Sequence, residues 1–262
     1  MKIGIISDIH GRDLKAVEKE FKARKIDYGI CLGDFDRAHI ARQMKEMQEK
    51  DSPCPWYVVP GNHDHSHVYK VPIKSGMMNL QGITSEQMQK EWDLPENSDV
   101  KAYVKTLLHC GPPKERCGRS LNVEIPGFKR SIAIHGALDG DRQCPPVDLW
   151  TRLRKVPDHE KNFAEMEKKE NDYQVMLRGH DHEPAYACKD KKGVVQYKGF
   201  QSLSGNREKG KRFDLPLHVR HTVNPGTYFL GYFAIIDTEE RGAKFPVLTY
   251  HKVLPHPTPS QP

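Results

Sequence analysis

The chain has 262 residues, which is long enough to bury the core of one α/β domain. Its hydrophobic fraction of 37% predicts a soluble protein, and no apolar run approaches the roughly 18 residues that a membrane-spanning helix needs. The net charge of +6 comes from 41 basic and 35 acidic residues. This charge is compatible with a phosphorylated or polyanionic substrate, although ordinary solubility explains it equally well.

The cysteines and the N-terminus both bear on the cellular compartment. Six cysteines are scattered along the chain and form no Cys-x-x-Cys pair, which predicts reduced thiols and not a disulfide framework or a zinc ribbon. A strand pattern begins at residue 2 and leads straight into Asp8, which leaves no room for a signal peptide. We therefore expect a cytoplasmic protein.

The first 60 residues alternate between strand-like and helix-like patterns. Short apolar runs predict strands at 2–7, 28–32 and 56–60. Between them, apolar residues at helical spacing predict helices at 12–24 and 38–50. This β-α-β-α-β order is typical of helices packed against a largely parallel sheet.

Between residues 65 and 130 the pattern is poor. Thr84 with Gln87 predicts the cap of a short helix that runs to Leu94, and alternation at 101–108 predicts a strand. We expect this segment to be a long insert and a candidate cap over the site.

The remainder of the chain is expected to be rich in strands. Residues 130–136 predict a strand that ends in a histidine, and 158–170 predict an exposed helix capped by Asp158. Further strands are expected near 194–197, 217–222, 228–236 and 246–252. Residues 1–253 would then form a single domain, followed by a Pro-rich disordered tail at 254–262.

Metal-binding residue types follow the strand-like runs repeatedly. The runs end in Asp8-Ile9-His10-Gly11, Gly33-Asp34, Gly61-Asn62-His63-Asp64, His135 and Gly179-His180-Asp181-His182. Polar and flexible residues at the end of a buried strand build a core poorly, but they present oxygen and nitrogen donors at the mouth of a sheet. In open α/β sheets, ligands bind at these carboxyl ends of the strands.

Seven of these residues form a candidate metal site. They offer carboxylate, imidazole and amide donors but no thiolate, a set that suits Mn, Fe or Zn. The seven are Asp8, His10, Asp34, Asn62, His135, His180 and His182. They are too many for one tetrahedral ion, but they suit two ions about 3.5–4 Å apart that share a carboxylate.

The order of these motifs, together with Asn224-Pro225-Gly226, resembles that of the calcineurin-like metallophosphoesterase superfamily. The resemblance covers residues 1–182 and the short later run. It implies a layered α/β/β/α sheet sandwich with helices on the outer faces and the metal site at the C-terminal ends of the strands.

The resemblance also implies a role for each motif residue. The first metal would be held by Asp8, His10 and His182, the second by Asn62, His135 and His180, with Asp34 shared between them. His63 would face the substrate as the catalytic acid.

Arg12, near a helix N-terminus, is a candidate phosphate clamp, the alternative being a solvated arginine. Asp64 and Asp181 are expected to fix loop geometry, and His65 and His67 to belong to a polar loop.

The activity implied is hydrolysis of phosphodiesters or phosphomonoesters by direct attack of a hydroxide that bridges two divalent metal ions. Manganese is the first candidate for these ions, with iron or zinc as alternatives. The partner would be a phosphate-ester substrate, with nucleotides among the candidates and no membrane.

Three alternatives stay open. A Ser/Thr-type protein phosphatase is disfavoured because the run Gly33-Asp34-Phe35-Asp36-Arg37-Ala38 is one residue short of Gly-Asp-x-x-Asp-Arg-Gly and lacks its last glycine, which puts Asp36 out of register for orienting His63. A nuclease would use the basic run at 202–212, although no aromatic ladder accompanies it. A catalytically silent scaffold is disfavoured because the ligands and His63 are intact.

Overall fold

The computed structural model describes residues 1–70, 90–95, 97–108, 120–138, 152–199 and 211–253. Its strands are β1 (Lys2–Ile6), β2 (Tyr28–Cys31), β3 (Trp56–Val58), β4 (Ser120–Val123), β5 (Ser131–Ile134), β6 (Val175–Arg178), β7 (Ala185–Lys189), β8 (Val195–Gly199), β9 (Arg212–Asp214), β10 (Arg220–Asn224), β11 (Tyr232–Asp237) and β12 (Val247–Lys252). Its helices are α1 (Lys15–Arg24), α2 (Ala38–Glu49), α3 (Asn62–Tyr69), α4 (Asp99–Leu108) and α5 (Val156–Glu167), and a 3-10 helix covers Tyr228–Leu230.

The strands form two mixed sheets. The order in the first sheet is β3-β2-β1-β11-β12-β9, in which β1, β2 and β3 are parallel and the rest pair antiparallel. The order in the second sheet is β4-β5-β6-β10-β7-β8, in which β5, β6 and β10 are parallel. Each sheet therefore has three parallel strands whose carboxyl ends lie at one edge.

Alternation along the strands packs the two sheets face to face. In β1, Ile3 and Ile5 point into the apolar layer between the sheets, while Ile6 points toward the helices. In β6, Val175 and Leu177 face the same inner layer. Because successive side chains in a strand point to opposite faces, each sheet contributes one face to this core and the other to helices.

Helices cover both outer faces. Val17 and Phe21 of α1 belong to the apolar cluster on the outside of the first sheet, and α2 and α4 contribute to the same cluster. Phe163 and Met166 of α5 pack with Met176 on the outside of the second sheet. The predicted α/β/β/α sandwich is therefore confirmed.

The strand predicted at 101–108 is wrong, because α4 occupies these residues. Val100, Val104 and Leu107 recur at the i, i+4, i+7 spacing of a helix, and all three are fully buried in the cluster outside the first sheet. This helical spacing is the stronger signal in the segment.

The polar loop expected after the third motif is also a helix, α3. Its first turn is stabilised by Asp64, whose carboxylate accepts a hydrogen bond from the backbone N–H of Gly61 at 2.8 Å. His65 and His67 lie on this helix and not in a loop.

The later helix begins at Val156, and Lys155 stands at its N-cap position without a side-chain cap. The prediction that Asp158 caps it is wrong: this carboxylate accepts from the backbone N–H of Arg154 at 3.3 Å. Thr84, Gln87 and the tail at 254–262 lie outside the described residues.

The described parts of the long insert pack beside the sheets. Helix α4 lies against α2 and α3, and β4 forms an edge of the second sheet next to β5. Residues 71–89 and 109–119 lie outside the description, so a cap over the site stays a prediction. Among the described residues, no helix has the length and apolar character to cross a membrane.

Candidate metal centre and catalytic histidine

The motif residues come together where the parallel strands of both sheets end. The loops after β1, β2 and β3 carry Asp8, His10, Asp34, Asn62 and His63, and those after β5 and β6 carry His135, His180 and His182. The loops bind each other through their backbones: His10 N–H donates to the carbonyl of Asp34, and Gly11 N–H to that of Phe35, both at 2.8 Å. Across the sheets, His180 N–H donates to Asp8 Oδ2 at 3.0 Å, so the strand ends of both sheets meet at one place.

Four of the predicted ligands form a compact group. One donor atom from each of Asp8, His10, Asp34 and His182 lies within 4.8 Å of all the others. His182 Nε2 is 3.1 Å from His10 Nε2 and 3.1 Å from Asp8 Oδ1. Two ligands bound at right angles about 2.1 Å from one cation lie roughly 3 Å apart, so these spacings fit donors that share an ion.

Two of the remaining predicted ligands lie beside Asp34 and beside each other. His135 Nε2 is 3.3 Å from Asp34 Oδ2, and the rings of His135 and His180 are 5.3 Å apart. Asn62 begins α3 directly after β3. Asp34 therefore touches both groups, as a shared ligand would.

Hydrogen bonds behind the ligands orient two of the imidazoles. His10 Nδ1 donates to Asp36 Oδ2 at 2.7 Å, and His135 Nδ1 donates to the backbone carbonyl of Leu32. In the neutral form of each ring, Nε2 is then the nitrogen that would bind a metal ion: it lies 3.1 Å from His182 Nε2 in His10 and 3.3 Å from Asp34 Oδ2 in His135. Metal-binding histidines are held in this way by a carboxylate or carbonyl on the second nitrogen.

The hydrogen bonding of the buried oxygens shows whether the site suits cations. Among the described residues, Asp8 Oδ1, Asp34 Oδ2 and Asn62 Oδ1 are buried and make no hydrogen bond of good geometry. Burying a carboxylate oxygen without a hydrogen bond or a cation is costly. Other buried atoms also make none, among them Ser66 Oγ, Ser131 Oγ and Asn171 Oδ1, but these three oxygens belong to residues that the sequence predicts as ligands, and such donors fit divalent cations.

The backbone of the site is strained in a repeated way. Three motif pairs, each two residues apart, have both members in the left-handed region with φ between 46° and 72°: Asp8 and His10, Asp34 and Asp36, and His180 and His182. Each such non-glycine residue costs of order 1–3 kcal/mol and persists only when its surroundings enforce it. The same conformation turns both side chains of each pair toward the site.

Two close approaches require glycine. A Cβ on Gly61 would lie 2.0 Å from Asp34 Oδ1, and one on Gly179 would lie 1.8 Å from Ser7 Oγ. The Ser7 hydroxyl in turn donates to Asp8 Oδ2 at 2.5 Å. The glycines before these motifs thus leave room for two of the ligand carboxylates.

Asp64 fastens two of the loops together, in agreement with its expected role. Its carboxylate accepts from the backbone N–H groups of Asp34, Phe35 and Gly61 at 2.8–2.9 Å. Burial raises its pKa to about 6, and the neighbouring charge of Asp34 acts in the same direction. Asp181 has a similar place in the second sheet, where it pairs with Arg178 and accepts from Leu153 N–H.

His63 is buried beside this group and is held at two points. Its backbone N–H donates to Asp34 Oδ1 at 2.9 Å, and its ring Nδ1 donates to Asp36 Oδ1 at 2.6 Å. Burial alone would lower the pKa of His63, but the charges of Asp34 and Asp36 raise it to about 10. With Nδ1 directed at Asp36, Nε2 is the nitrogen that remains to donate a proton elsewhere.

Comparison with known proteins settles the family. The description of the calcineurin-like phosphoesterase superfamily domain matches residues 1–230. The chain belongs to this superfamily. A search of the curated proteins found no match.

Solved structures of one phosphoesterase and two phosphatases are similar to most of the chain. YfcE, a phosphoesterase from E. coli, is 15% identical over 91% of this chain and 90% of its own, with a TM-score of 0.37. A cold-active protein tyrosine phosphatase is 11% identical over 91% and 74%, with a TM-score of 0.49. A dimetal phosphatase from Danio rerio is 12% identical over 90% and 92%, with a TM-score of 0.35. At these TM-scores the likenesses carry no argument about activity.

The importance of Asp36 in this calcineurin-like site was not predicted from the sequence. The shortened run put Asp36 out of register for orienting His63, yet its carboxylate lies on Nδ1 of both His63 and His10. The left-handed conformation of Asp36, with φ of 59°, turns the side chain back to the site. The spacing of residues in the motif gives no information about such a backbone turn.

His67 was missed. It is 2% exposed, and its Nε2 lies 3.2 Å from Asp36 Oδ1. The spacing of His63 and His67 is the signal that would have found it, because residues i and i+4 share a face once α3 is known to be a helix.

Arg12, the predicted phosphate clamp, and Arg37, which follows Asp36, are occupied by other contacts. Arg12 donates to the backbone carbonyls of Tyr228, Phe229 and Val253, at 3.1–3.3 Å. Arg37 pairs with Glu91. These contacts do not favour the assignment of Arg12 as a phosphate clamp, which stays a prediction.

Proposed function

We propose that this member of the superfamily is a dinuclear-metal-dependent phosphoesterase that hydrolyses phosphodiesters at least as well as phosphomonoesters. The observation that supports it most is the group of four predicted ligands, Asp8, His10, Asp34 and His182, whose donor atoms all lie within 4.8 Å of one another, with His135 in contact with Asp34. Family membership supports phosphoester hydrolysis in general.

In the proposed enzyme, Asp8, His10 and His182 hold one divalent ion, Asn62, His135 and His180 hold the other, and Asp34 is shared. The donors are all oxygen and nitrogen, which suits manganese first, with iron or zinc as alternatives. When bound, two such metal ions would supply an activated water and neutralise charge on the phosphate.

His63 supplies the proton for the leaving group. Its Nδ1 is committed to Asp36, so the proton on Nε2 passes to the ester oxygen as the P–O bond breaks. Solvent then returns a proton to Nε2. General acid catalysis of this kind contributes typically about 10²–10⁴-fold to the rate.

The arginine contacts support the preference for diesters. A monoester dianion gains from extra cationic donors at its third terminal oxygen, whereas a diester monoanion needs fewer. Within the described part of the chain, Arg12 and Arg37 are both bound to other groups of the protein. Nucleotides with diester linkages are therefore candidate substrates.

A monoesterase related to the protein phosphatases is the second candidate, and one contact favours it. The pairing of Asp36 with His63 is the partnership that the broken sequence run had counted against. The nuclease alternative gains no such contact, because most of the basic run at 202–212 lies outside the described residues and Arg212 pairs with Glu240.

A cytoplasmic location completes the proposal. Cys31, Cys54 and Cys188 are free thiols, as expected in a reducing compartment. The substrate would then be an intracellular phosphate ester.

The test is a comparison of kcat/KM for bis-aryl and mono-aryl phosphate at one pH with saturating manganese. We expect the diester to be hydrolysed at least as well as the monoester. A monoester preference above about tenfold, which is about 1.4 kcal/mol in transition-state stabilisation, would favour the second candidate.

A further inference from the structure

The carboxylate of Asp36 receives a third imidazole besides those of His10 and His63. His67 Nε2 lies 3.2 Å from Asp36 Oδ1, the same oxygen that His63 Nδ1 contacts at 2.6 Å. An ionised carboxylate only accepts hydrogen bonds, so His67 is the donor in this contact. Asp36 thus lies between two histidines of one helix face, one turn apart on α3.

Trp92 fixes the same aspartate from its backbone. The indole Nε1 donates to the carbonyl of Asp36 at 2.8 Å, and the indole ring stacks on the imidazole of His67 with 5.5 Å between centroids and 3° between planes. Trp92 is fully buried in the cluster outside the first sheet. The tryptophan therefore anchors Asp36 directly and also keeps His67 in its orientation.

Asp36 needs such anchoring because its backbone is strained. A φ of 59° is unfavourable for a residue with a side chain, and it is retained only where several contacts enforce it. Without the donors from His67 and Trp92, the strained Asp36 would be held only by its contacts with His10 and His63, and its position against His63 would be less sharply fixed.

We propose that His67 and Trp92 are positioning residues that hold Asp36, and through it His63, in the geometry of the catalytic acid. The proposal rests on the proposed function for its kinetic consequences. Neither residue touches the ligand group in the contacts described above; His67 reaches His63 through the shared oxygen of Asp36 and through an edge contact with 6.5 Å between ring centroids. Loss of the His67 donor should weaken proton delivery and leave ester binding and metal binding in place.

His67→Phe is the direct test, because a phenyl ring retains the stacking on Trp92 and removes the donor. In the manganese-loaded full chain, we expect kcat to fall about tenfold for an alkyl phosphodiester and about twofold for a nitrophenyl phosphodiester, with KM changed less than twofold. The poor leaving group depends more on protonation, which gives the difference. His67→Gln restores a donor and should recover most of the loss.

Three further variants separate positioning from general destabilisation. Trp92→Phe removes the donor to the Asp36 carbonyl and should shift the two esters in the same unequal way. His221→Phe is the matched control: it alters another fully buried histidine, at the opposite end of the second sheet, and should change both esters equally. In a His63→Ala background, His67→Phe should cause no further loss, because the two act as one unit.

Equal losses for both esters in His67→Phe would overturn the proposal. So would a loss from His67→Phe in the His63→Ala variant that is as large as its loss in the wild type. A separate readout covers the case in which the protein hydrolyses neither ester, which would refute the proposed function alone. In the zinc-loaded chain, NMR would follow exchange of the His63 Nδ1 proton with water, expected to be at least tenfold faster in His67→Phe than in the wild type. Unchanged exchange would overturn the positioning role whatever the activity.

Discussion

His63 Nδ1 and Asp36 Oδ1 lie 2.6 Å apart, although one residue is on helix α3 and the other follows strand β2. The second oxygen of Asp36 lies 2.7 Å from Nδ1 of His10, a predicted ligand of the first metal. One carboxylate therefore joins the candidate metal centre to the candidate acid. Burial alone would raise the pKa of Asp36, but the charges of His63 and His10 hold it well below its ordinary value, so the group stays ionised.

Asp36→Asn is expected to damage both functions of this carboxylate. The amide accepts less strongly and offers only one acceptor oxygen, so His10 or His63 loses its partner. Losses of partners behind metal ligands typically cost about 10–100-fold in metal affinity or activity. We expect a loss of this size in kcat and a weaker first metal site. Wild-type kcat with unchanged metal affinity would contradict the role of Asp36.

Asp34→Asn should impair both metal sites together, whereas His182→Ala should weaken mainly the first. Asp34 touches His135 and also belongs to the group with Asp8 and His182. Metal content of each purified, folded variant provides the measurement. Two tightly held ions in Asp34→Asn would show that the carboxylate is not shared.

His63→Ala should retain the fold and both metals but lose most turnover. The loss should be larger for alkyl than for nitrophenyl esters, because a poor leaving group needs its proton most. Kinetics on matched alkyl and nitrophenyl diesters provide the comparison. An equal loss on both would leave His63 as an electrostatic contact and not an acid.

His221 should make the protein sensitive to mild acid independently of the metal centre. Its Nδ1 accepts from Tyr186 Oη–H at 3.0 Å and its Nε2 donates to the carbonyl of Pro216 at 3.1 Å, so the neutral ring is satisfied. Burial lowers the pKa of His221 from 6.5 to about 4. Between these values the unfolded chain binds a proton that the folded one does not, so the free energy of unfolding falls as pH falls.

The measurement is the difference in unfolding free energy between wild type and His221→Gln from pH 7 to pH 4. The wild type should lose stability relative to the variant with a slope of up to about 1.4 kcal/mol per pH unit. Parallel profiles for the two proteins would show that His221 is not held neutral.

The sandwich, and the meeting of the motif residues at one edge of it, could be predicted from the sequence because each motif directly follows a recognisable strand. Apolar runs locate β1, β2 and β6, and parallel strands end on the same side of a sheet. The sequence could not give the left-handed turns at Asp36 and its neighbours, since these depend on bonds between loops that are distant in sequence.

Helices α3 and α4 were missed for a related reason. The first is rich in histidine and has little apolar periodicity, so it depends on Asp64 as a cap and on burial against the site. The second does carry the helical spacing of Val100, Val104 and Leu107, but the alternation within 101–108 was followed instead, and burial against α2 shows which pattern prevails. Contacts with Asp36 made by His67 and Trp92 follow from these packings and were equally out of reach.

Titration of the metal-free full chain with manganese tests the central claim most directly, if bound metal and hydrolysis of bis(4-nitrophenyl) phosphate are measured on the same samples. The account predicts two ions bound per chain and activity that appears as the second site fills. In Asp34→Asn it predicts fewer than two bound ions and no such activity. Full activity without bound metal, or two ions bound with no hydrolysis of any phosphate ester, would contradict it.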